Sequence, residues 1–209
     1  MDLRATVSFI LILLAVLIYG LVHSLLASLW AKERTRRWFG QLADRWYRLI
    51  YNLFAIASFL PVFALLVLLP DREIYRIPFP WLLITLTFQG IAIFTLLAGL
   101  RQTGIRSFIG FQQLTAPEAE NPSKLEVSGL YRWVRHPLYT AGLLFIWLAP
   151  RMTTNLLALN SGLTLYIFIG AFFEERKLMR EFGEAYIRYR KTTPMLIPWK
   201  KCSTSPPAA

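Results

Sequence analysis

Acidic residues are scarce in this chain, with 12 Asp and Glu against 23 Lys and Arg, and cysteine and histidine are scarcer still. The one cysteine, Cys202, lies in the polar tail "KKCSTSPPAA". A single cysteine excludes an internal disulfide and a cysteine metal cluster. Two histidines, His23 and His136, are too few for a histidine-built metal centre, so no metal site is expected. Charged residues of either sign make up only 17% of the chain. No internal repeat is present.

What the chain has in excess is apolar sequence. It is 56% hydrophobic, with a mean hydropathy of +0.45, whereas soluble domains sit nearer 45–50% apolar. Long nearly uncharged runs read as bilayer-spanning helices. Four such runs are Thr6 to Leu29, Tyr47 to Leu69, Trp81 to Leu100 and Asn155 to Phe173. A fifth, Leu138 to Pro150, has 13 residues, roughly 20 Å of helix and short for a span. It pairs naturally with the run that follows as a helical hairpin turned at "PRMTTN". The expected fold class is all-α: a polytopic helical membrane protein of about five transmembrane helices, ending in that hairpin and an amphipathic cytoplasmic helix. The first run is too long for the apolar core of a cleaved signal and reads as a retained anchor.

The expected organisation is transmembrane helices 1–3 over residues 1–100, then a connector, hairpin and ligand-binding segment over 101–198, and a disordered tail over 199–209. "PEAENPS" reads as an exposed turn within the connector. After the last span, "EERKLMREFGEAYIRYRK" spaces Leu178, Phe182 and Tyr186 four apart, the pattern of one amphipathic helix at the interface.

The net charge of +11 is distributed as topology. In a five-span chain nineteen cations fall on one side and four, Arg4, Arg72, Arg76 and Arg151, on the other. The positive-inside rule then places the N-terminus outside and the C-terminus in the cytoplasm. Such basic loops suit anionic membrane lipid rather than nucleic acid.

Ionisable groups at a membrane edge are functional candidates by default. "GLYRWVRHPLYTAG" puts Arg135, His136 and Pro137 at the start of the short apolar run, and Glu174 and Glu175 end the next one. A hairpin returns these groups to one level although 38 positions separate His136 from Glu174. Pro137 suits the first helical turn, the amides behind it would be free to bind an anion, and Arg135 offers a fork for a carboxylate. The glutamates would take an ammonium. One zwitterionic ligand would suit that set. Each feature also has a plain structural reading. Arg132 and Arg135 serve equally as topology anchors, His136-Pro137 as a helix start, and Glu174-Glu175 as favourable acids at a helix terminus. Tyr131, Trp133, Tyr139, Tyr186 and Tyr189 fit an ordinary interfacial aromatic belt.

From Leu125 to Pro198, the two ordered motifs "GLYRWVRHPLYTAG" and "EERKLMREFGEAYIRYRKTTPMLIP" resemble the C-terminal half of a known group. That group is the integral-membrane methyltransferases related to isoprenylcysteine carboxyl methyltransferase and phospholipid methyltransferases. In the N-terminal half, "GLVHSLLAS", "WYRLIYNLFAIASFLP" and "SFIGFQQL" are similar to NnrU-type membrane proteins and bacterial methanethiol S-methyltransferases. The resemblance implies S-adenosylmethionine as cofactor, bound facing the cytoplasm under the C-terminal segment, and a small thiol or lipophilic acceptor. It implies that Tyr131, Arg135, His136, Pro137, Tyr139, Gly142, Glu174 and Glu175 line the cofactor site. Tyr186, Tyr189 and Arg190 would form the lid or orient the acceptor. His136, Arg135 and Arg190 are the catalytic candidates. A bacterial inner membrane is the expected location, and the oligomeric state stays open.

Two readings compete. NnrU-type proteins include haem-dependent isomerases, so His23 is either an axial ligand or a histidine hydrogen-bonded to a neighbouring helix. A membrane scaffold without catalysis would bind anionic lipid through its basic loops and tolerate replacement of His136.

Overall fold

A computed structural model describes residues 3–115 and 125–199. The expected turn "PEAENPS" and the tail beyond Trp199 lie outside the described residues. In chain order come α1 (Leu3–Ala27), α2 (Leu29–Phe39), α3 (Gln41–Leu68), β1 (Glu73–Arg76) and α4 (Trp81–Thr103). Two short helices follow, α5 (Ile105–Ile109) and α6 (Phe111–Thr115), then a 3-10 turn (Gly129–Arg132). The chain continues as α7 (Pro137–Trp147), β2 (Arg151–Thr153), α8 (Thr154–Phe182) and α9 (Glu184–Thr192).

Among the described residues four helices, α1, α3, α4 and α8, are long and apolar enough to cross a membrane. Many of their large side chains are exposed in the isolated chain, Ile18 at 62%, Phe94 at 74% and Phe173 at 61% among them. Such surfaces belong against lipid. This is an all-α integral-membrane protein. The fifth expected span is present but shorter: α7 has 11 helical residues, about 16 Å against a hydrocarbon core of about 30 Å. It ends at Trp147 because Leu148 leaves helical geometry and Pro150 follows.

Among the described residues the chain forms two compact units that interleave in sequence. One comprises 3–77, 103–115 and 151–166, the other 78–102, 125–150 and 167–199.

In the first unit, Ser28 separates α1 from α2. Its hydroxyl accepts the Ala31 amide at 3.2 Å, capping the new helix. Ile12 and Val16 of α1, Val62 of α3, and Ala158 and Leu159 of α8 form the buried core. A Cβ added at Gly162 would stand 2.8 Å from Val16 Cγ1, so the small residue lets α1 and α8 approach closely. β1 and β2 pair antiparallel, which brings the connection after α3 together with the one before α8. Asn155 is buried there, its side-chain amide donating to the Leu69 carbonyl at 3.2 Å.

His23 of α1 also lies in the first unit. Its Nε2 is 2.6 Å from the Tyr51 hydroxyl of α3, and its ring stacks on Tyr19 with centroids 5.5 Å apart. The histidine is thus hydrogen-bonded to a neighbouring helix, the alternative to haem ligation.

In the second unit α7 runs back along α4. The Gln102 side chain donates to the Ser128 carbonyl at 2.9 Å, and that of Gln89 to the Phe145 carbonyl at 3.0 Å. The expected separate amphipathic helix differs in detail. α8 continues unbroken past Glu174 and Glu175 to Phe182, and Gly183, at φ +53°, then turns the chain into α9. The four-residue spacing of Leu178, Phe182 and Tyr186 crosses that break, so the three do not share one helix.

Candidate functional site

The entry to α7 is built from hydrogen bonds rather than from free polar groups. Glu126 accepts the Ser128 amide at 2.9 Å, and the Ser128 hydroxyl and amide hold its carboxyl below the usual carboxylate range. The 3-10 turn and Val134 lead to His136, whose backbone (φ −124°) caps α7, with Pro137 in the first turn. Proline costs nothing there, because the first-turn amide has no intrahelical partner.

The segment after α9 then runs beside this entry. The Arg135 amide donates to the Pro194 carbonyl at 2.9 Å and the His136 amide to the Met195 carbonyl at 3.1 Å. The Thr140 hydroxyl donates to the Leu196 carbonyl at 2.7 Å. The Tyr189 hydroxyl reaches the Tyr131 carbonyl at 2.6 Å. Residues 193–196 are therefore a strap tied at three points to the start of α7, and Tyr189 of α9 adds a fourth tie, to the 3-10 turn.

Under the strap lies a charge cluster. Arg135 Nε and Nη2 both bond Glu175 Oε1 at 2.6 Å. Its Nη1 donates to the carbonyls of Arg190 at 3.1 Å and Thr193 at 2.5 Å. The two side chains are 7% and 6% exposed, so this is a buried, fully engaged ion pair. Its second carboxylate oxygen faces Arg190 Nε at 3.4 Å.

His136, 5% exposed, sits between the two glutamates. Its Nδ1 is 3.6 Å from Glu174 and its Nε2 is 3.4 Å from Glu175. The ring stacks on Tyr139, centroids 5.4 Å apart, and the Tyr139 hydroxyl donates to Glu174 at 2.9 Å. Nε2 is close to Glu175 yet poorly directed, so it is buried without a hydrogen bond, as is the Tyr186 hydroxyl. Burial first, and the Glu175 carboxylate second, push the Tyr186 hydroxyl well above its usual pKa. Burial does the same to Tyr189.

Two members of the cluster remain open to solvent. The Glu174 side chain is 45% exposed and that of Arg190 52% exposed.

The structure thus brings together Arg135, His136, Tyr139, Glu174, Glu175, Tyr186, Tyr189 and Arg190, with Tyr131 joined through its carbonyl. Their partners differ from the sequence expectation in one respect. Arg135 and Glu175 hold each other, and the Arg135 and His136 amides hold the strap. Three donors beside the start of α7, the Arg135 guanidinium and the Arg135 and His136 amides, are thus already occupied. Gly142 opens on free space, as an added Cβ would meet nothing within 4 Å. Thr140 and Thr193, which tie the strap, carry no signal in the sequence beyond Thr140 lying one turn after His136.

Comparison with known proteins identifies the group. The chain is 32% identical to methanethiol S-methyltransferase 1 of Bradyrhizobium diazoefficiens over 96% of its own length and 70% of that protein. The chain belongs to the methanethiol S-methyltransferase family. A Pseudomonas methanethiol S-methyltransferase is 33% identical over 88% of this chain and 74% of its own. The human protein-S-isoprenylcysteine O-methyltransferase is 28% identical over 44% of this chain and 33% of its own. No family model matches, and no solved structure matches. As a member of the methanethiol S-methyltransferase family, the protein is a membrane methyltransferase, which removes the scaffold reading.

Proposed function

We propose that the protein transfers a methyl group from S-adenosylmethionine to a small thiol or similarly lipophilic acceptor at the cytoplasmic face of a bacterial inner membrane. The observation that carries this reading is the open pair in an otherwise self-satisfied cluster. Glu174 and Arg190 present one anion and one cation to solvent, beside two buried polar atoms, His136 Nε2 and the Tyr186 hydroxyl, that lack partners. Orphaned buried groups are rare in native proteins and ask for a ligand or water. A zwitterion such as the methionine end of S-adenosylmethionine complements that set: Glu174 would take the ammonium and Arg190 the carboxylate.

When bound, the cofactor supplies a methyl group already activated on a sulfonium sulfur. The protein's part is to bind, orient and exclude water. Arg135 and Glu175 fix the cluster from beneath, and Tyr139 aims Glu174. The strap at 193–196 covers the start of α7. His136, between Glu174 and Glu175, would position the cofactor ahead of any role as general base for an acceptor thiol. An acceptor thiol reacts as its thiolate, and the surrounding cations favour that form.

The membrane face follows from charge. Nineteen of the 23 cations fall in the sequence segments after the first, third and fifth apolar runs, and the positive-inside rule puts those segments in the cytoplasm and the N-terminus outside. Names of the bacterial relatives support a thiol acceptor and the bacterial setting. The haem alternative rests on His23, whose Nε2 is engaged by Tyr51.

The test is calorimetric binding of S-adenosylmethionine to detergent-purified protein, followed by headspace detection of dimethyl sulfide when methanethiol is added. Binding without product points to another acceptor within the same reaction class. A folded protein that neither binds S-adenosylmethionine nor methylates any thiol would sink the reading.

A further inference from the structure

Two weak contacts hold the Arg190 side chain, and one of them has no part in the reading above. Glu175 and Met179 stand four residues apart on α8, on one face of the helix. The Gly183 amide donates to the Met179 carbonyl at 3.1 Å, where the chain turns from α8 into α9. That turn brings Arg190, in the last turn of α9, back against the same face. Its Nε lies 3.4 Å from Glu175 Oε2, and its Nη1 donates to Met179 Sδ at 3.5 Å. These are its side-chain partners among the described residues.

Neither contact neutralises the guanidinium. Glu175 has its charge balanced by Arg135, whose two bonds to Oε1 are 2.6 Å long. Met179 carries no charge. The Arg190 main chain is fixed as well, because its carbonyl accepts Arg135 Nη1 at 3.1 Å. Its side chain is thus placed on α8 and stays 52% exposed. A thioether is a weak acceptor on a soft, adaptable side chain. It can hold a guanidinium in place and still yield it to a carboxylate, whose charge-assisted bonds are about twice as strong as neutral ones.

We infer that Met179 is a positioning residue for the cofactor: its sulfur holds Arg190 ready for the carboxylate of S-adenosylmethionine without competing for its charge. The inference rests on the reading in which Arg190 takes that carboxylate. Ordering a long, flexible side chain at the moment of binding weakens a complex by about two- to tenfold. The contact with Met179 removes that loss in advance. Leucine in its place would fill the space and offer no acceptor. Glutamate would set a carboxyl carbon where the sulfur stands and keep Arg190 for itself.

The test measures calorimetric affinities of the full detergent-purified chain for two ligands, S-adenosylmethionine and decarboxylated S-adenosylmethionine. The second keeps the sulfonium and the ammonium and lacks only the carboxylate. Wild type should prefer the first by roughly 10- to 100-fold, the worth of a charge-assisted hydrogen bond. Arg190→Gln should erase that preference. Met179→Leu, a volume-conserving change, should weaken S-adenosylmethionine about two- to tenfold and leave the decarboxylated ligand unaffected. Met179→Glu should erase the preference as fully as Arg190→Gln does. Both Met179 variants should keep the wild-type unfolding temperature.

A wild type that binds both ligands equally, or neither, would overturn the assignment of Arg190 and this inference with it. A preference that survives Arg190→Gln would do the same. A preference lost in Arg190→Gln yet kept in both Met179 variants would overturn this inference alone. So would equal weakening of the two ligands in Met179→Leu, which would make Met179 a packing residue.

Discussion

Arg135 and Glu175, forty positions apart, form a buried ion pair at 2.6 Å in which one guanidinium grips a carboxylate and two main-chain carbonyls. The carbonyls belong to Arg190 of α9 and Thr193 of the strap, so one side chain just ahead of α7 joins α8, α9 and the strap.

Removing either partner leaves a charge buried and uncompensated, which destabilises by about 3–5 kcal/mol. Arg135→Ala and Glu175→Ala should both lower the unfolding temperature of the detergent-solubilised protein by similar amounts. Arg135→Lys should fall between them and the wild type, because an ammonium lacks the planar fork that reaches carboxylate and carbonyls together. A wild-type unfolding temperature in Arg135→Ala would show that the pair carries no such load.

Tyr189 is buried, 3% exposed, and its hydroxyl donates to the Tyr131 carbonyl at 2.6 Å. Tyr189→Phe removes the donor and should cost about 1–3 kcal/mol. Burial raises the pKa of both Tyr186 and Tyr189 in the folded protein above the unfolded value. A folded-state pKa that is raised means stability fully present below the unfolded pKa, near 10, and lost as pH rises beyond it. Unfolding temperature should therefore fall above about pH 10, and the double variant Tyr186→Phe/Tyr189→Phe should fall less steeply. Parallel pH profiles for the two proteins would contradict this.

Two glycines test where the chain turns by necessity. Gly183 sits at φ +53° with open space around a notional Cβ, so Gly183→Ala meets backbone strain alone, about 1–2 kcal/mol. Gly110, at φ +96°, would also drive a Cβ to 2.7 Å from the Leu49 amide nitrogen. A backbone atom cannot swing aside as a side-chain tip can. Gly110→Ala should therefore destabilise distinctly more than Gly183→Ala in the same unfolding assay, and equal effects would mean the α3 backbone yields.

The helices were legible because lipid imposes a one-dimensional rule: long uncharged runs must span. α1, α3, α4 and α8 follow it, and α7 is read correctly as the short one. The charge pattern also anticipates that His136 and Glu174 share a level, since a hairpin returns to where it left. Pairing was not legible. Nothing local tells Arg135 to hold Glu175 rather than a ligand, because that choice depends on the carbonyls of Arg190 and Thr193, which every residue possesses. The strap is invisible for the same reason, as its ties are mostly main-chain. The four-residue spacing of Leu178, Phe182 and Tyr186 suggests one continuous helix, which Gly183 breaks.

Glu174 and Glu175 are adjacent in sequence and opposite in circumstance. Glu175 is 6% exposed and saturated by Arg135, whereas Glu174 is 45% exposed and bonded to Tyr139. If Glu174 receives the ammonium of S-adenosylmethionine, Glu174→Gln removes a charge-assisted hydrogen bond, about 1.5–3 kcal/mol. That corresponds to roughly 10- to 100-fold weaker binding. The unfolding temperature should barely move, because an exposed carboxylate leaves no buried charge behind. Glu175→Gln should do the reverse, lowering stability first and binding only as a consequence. Calorimetry and thermal unfolding on the two variants therefore separate a ligand contact from a supporting one. Loss of stability without loss of binding in Glu174→Gln would exchange the two roles.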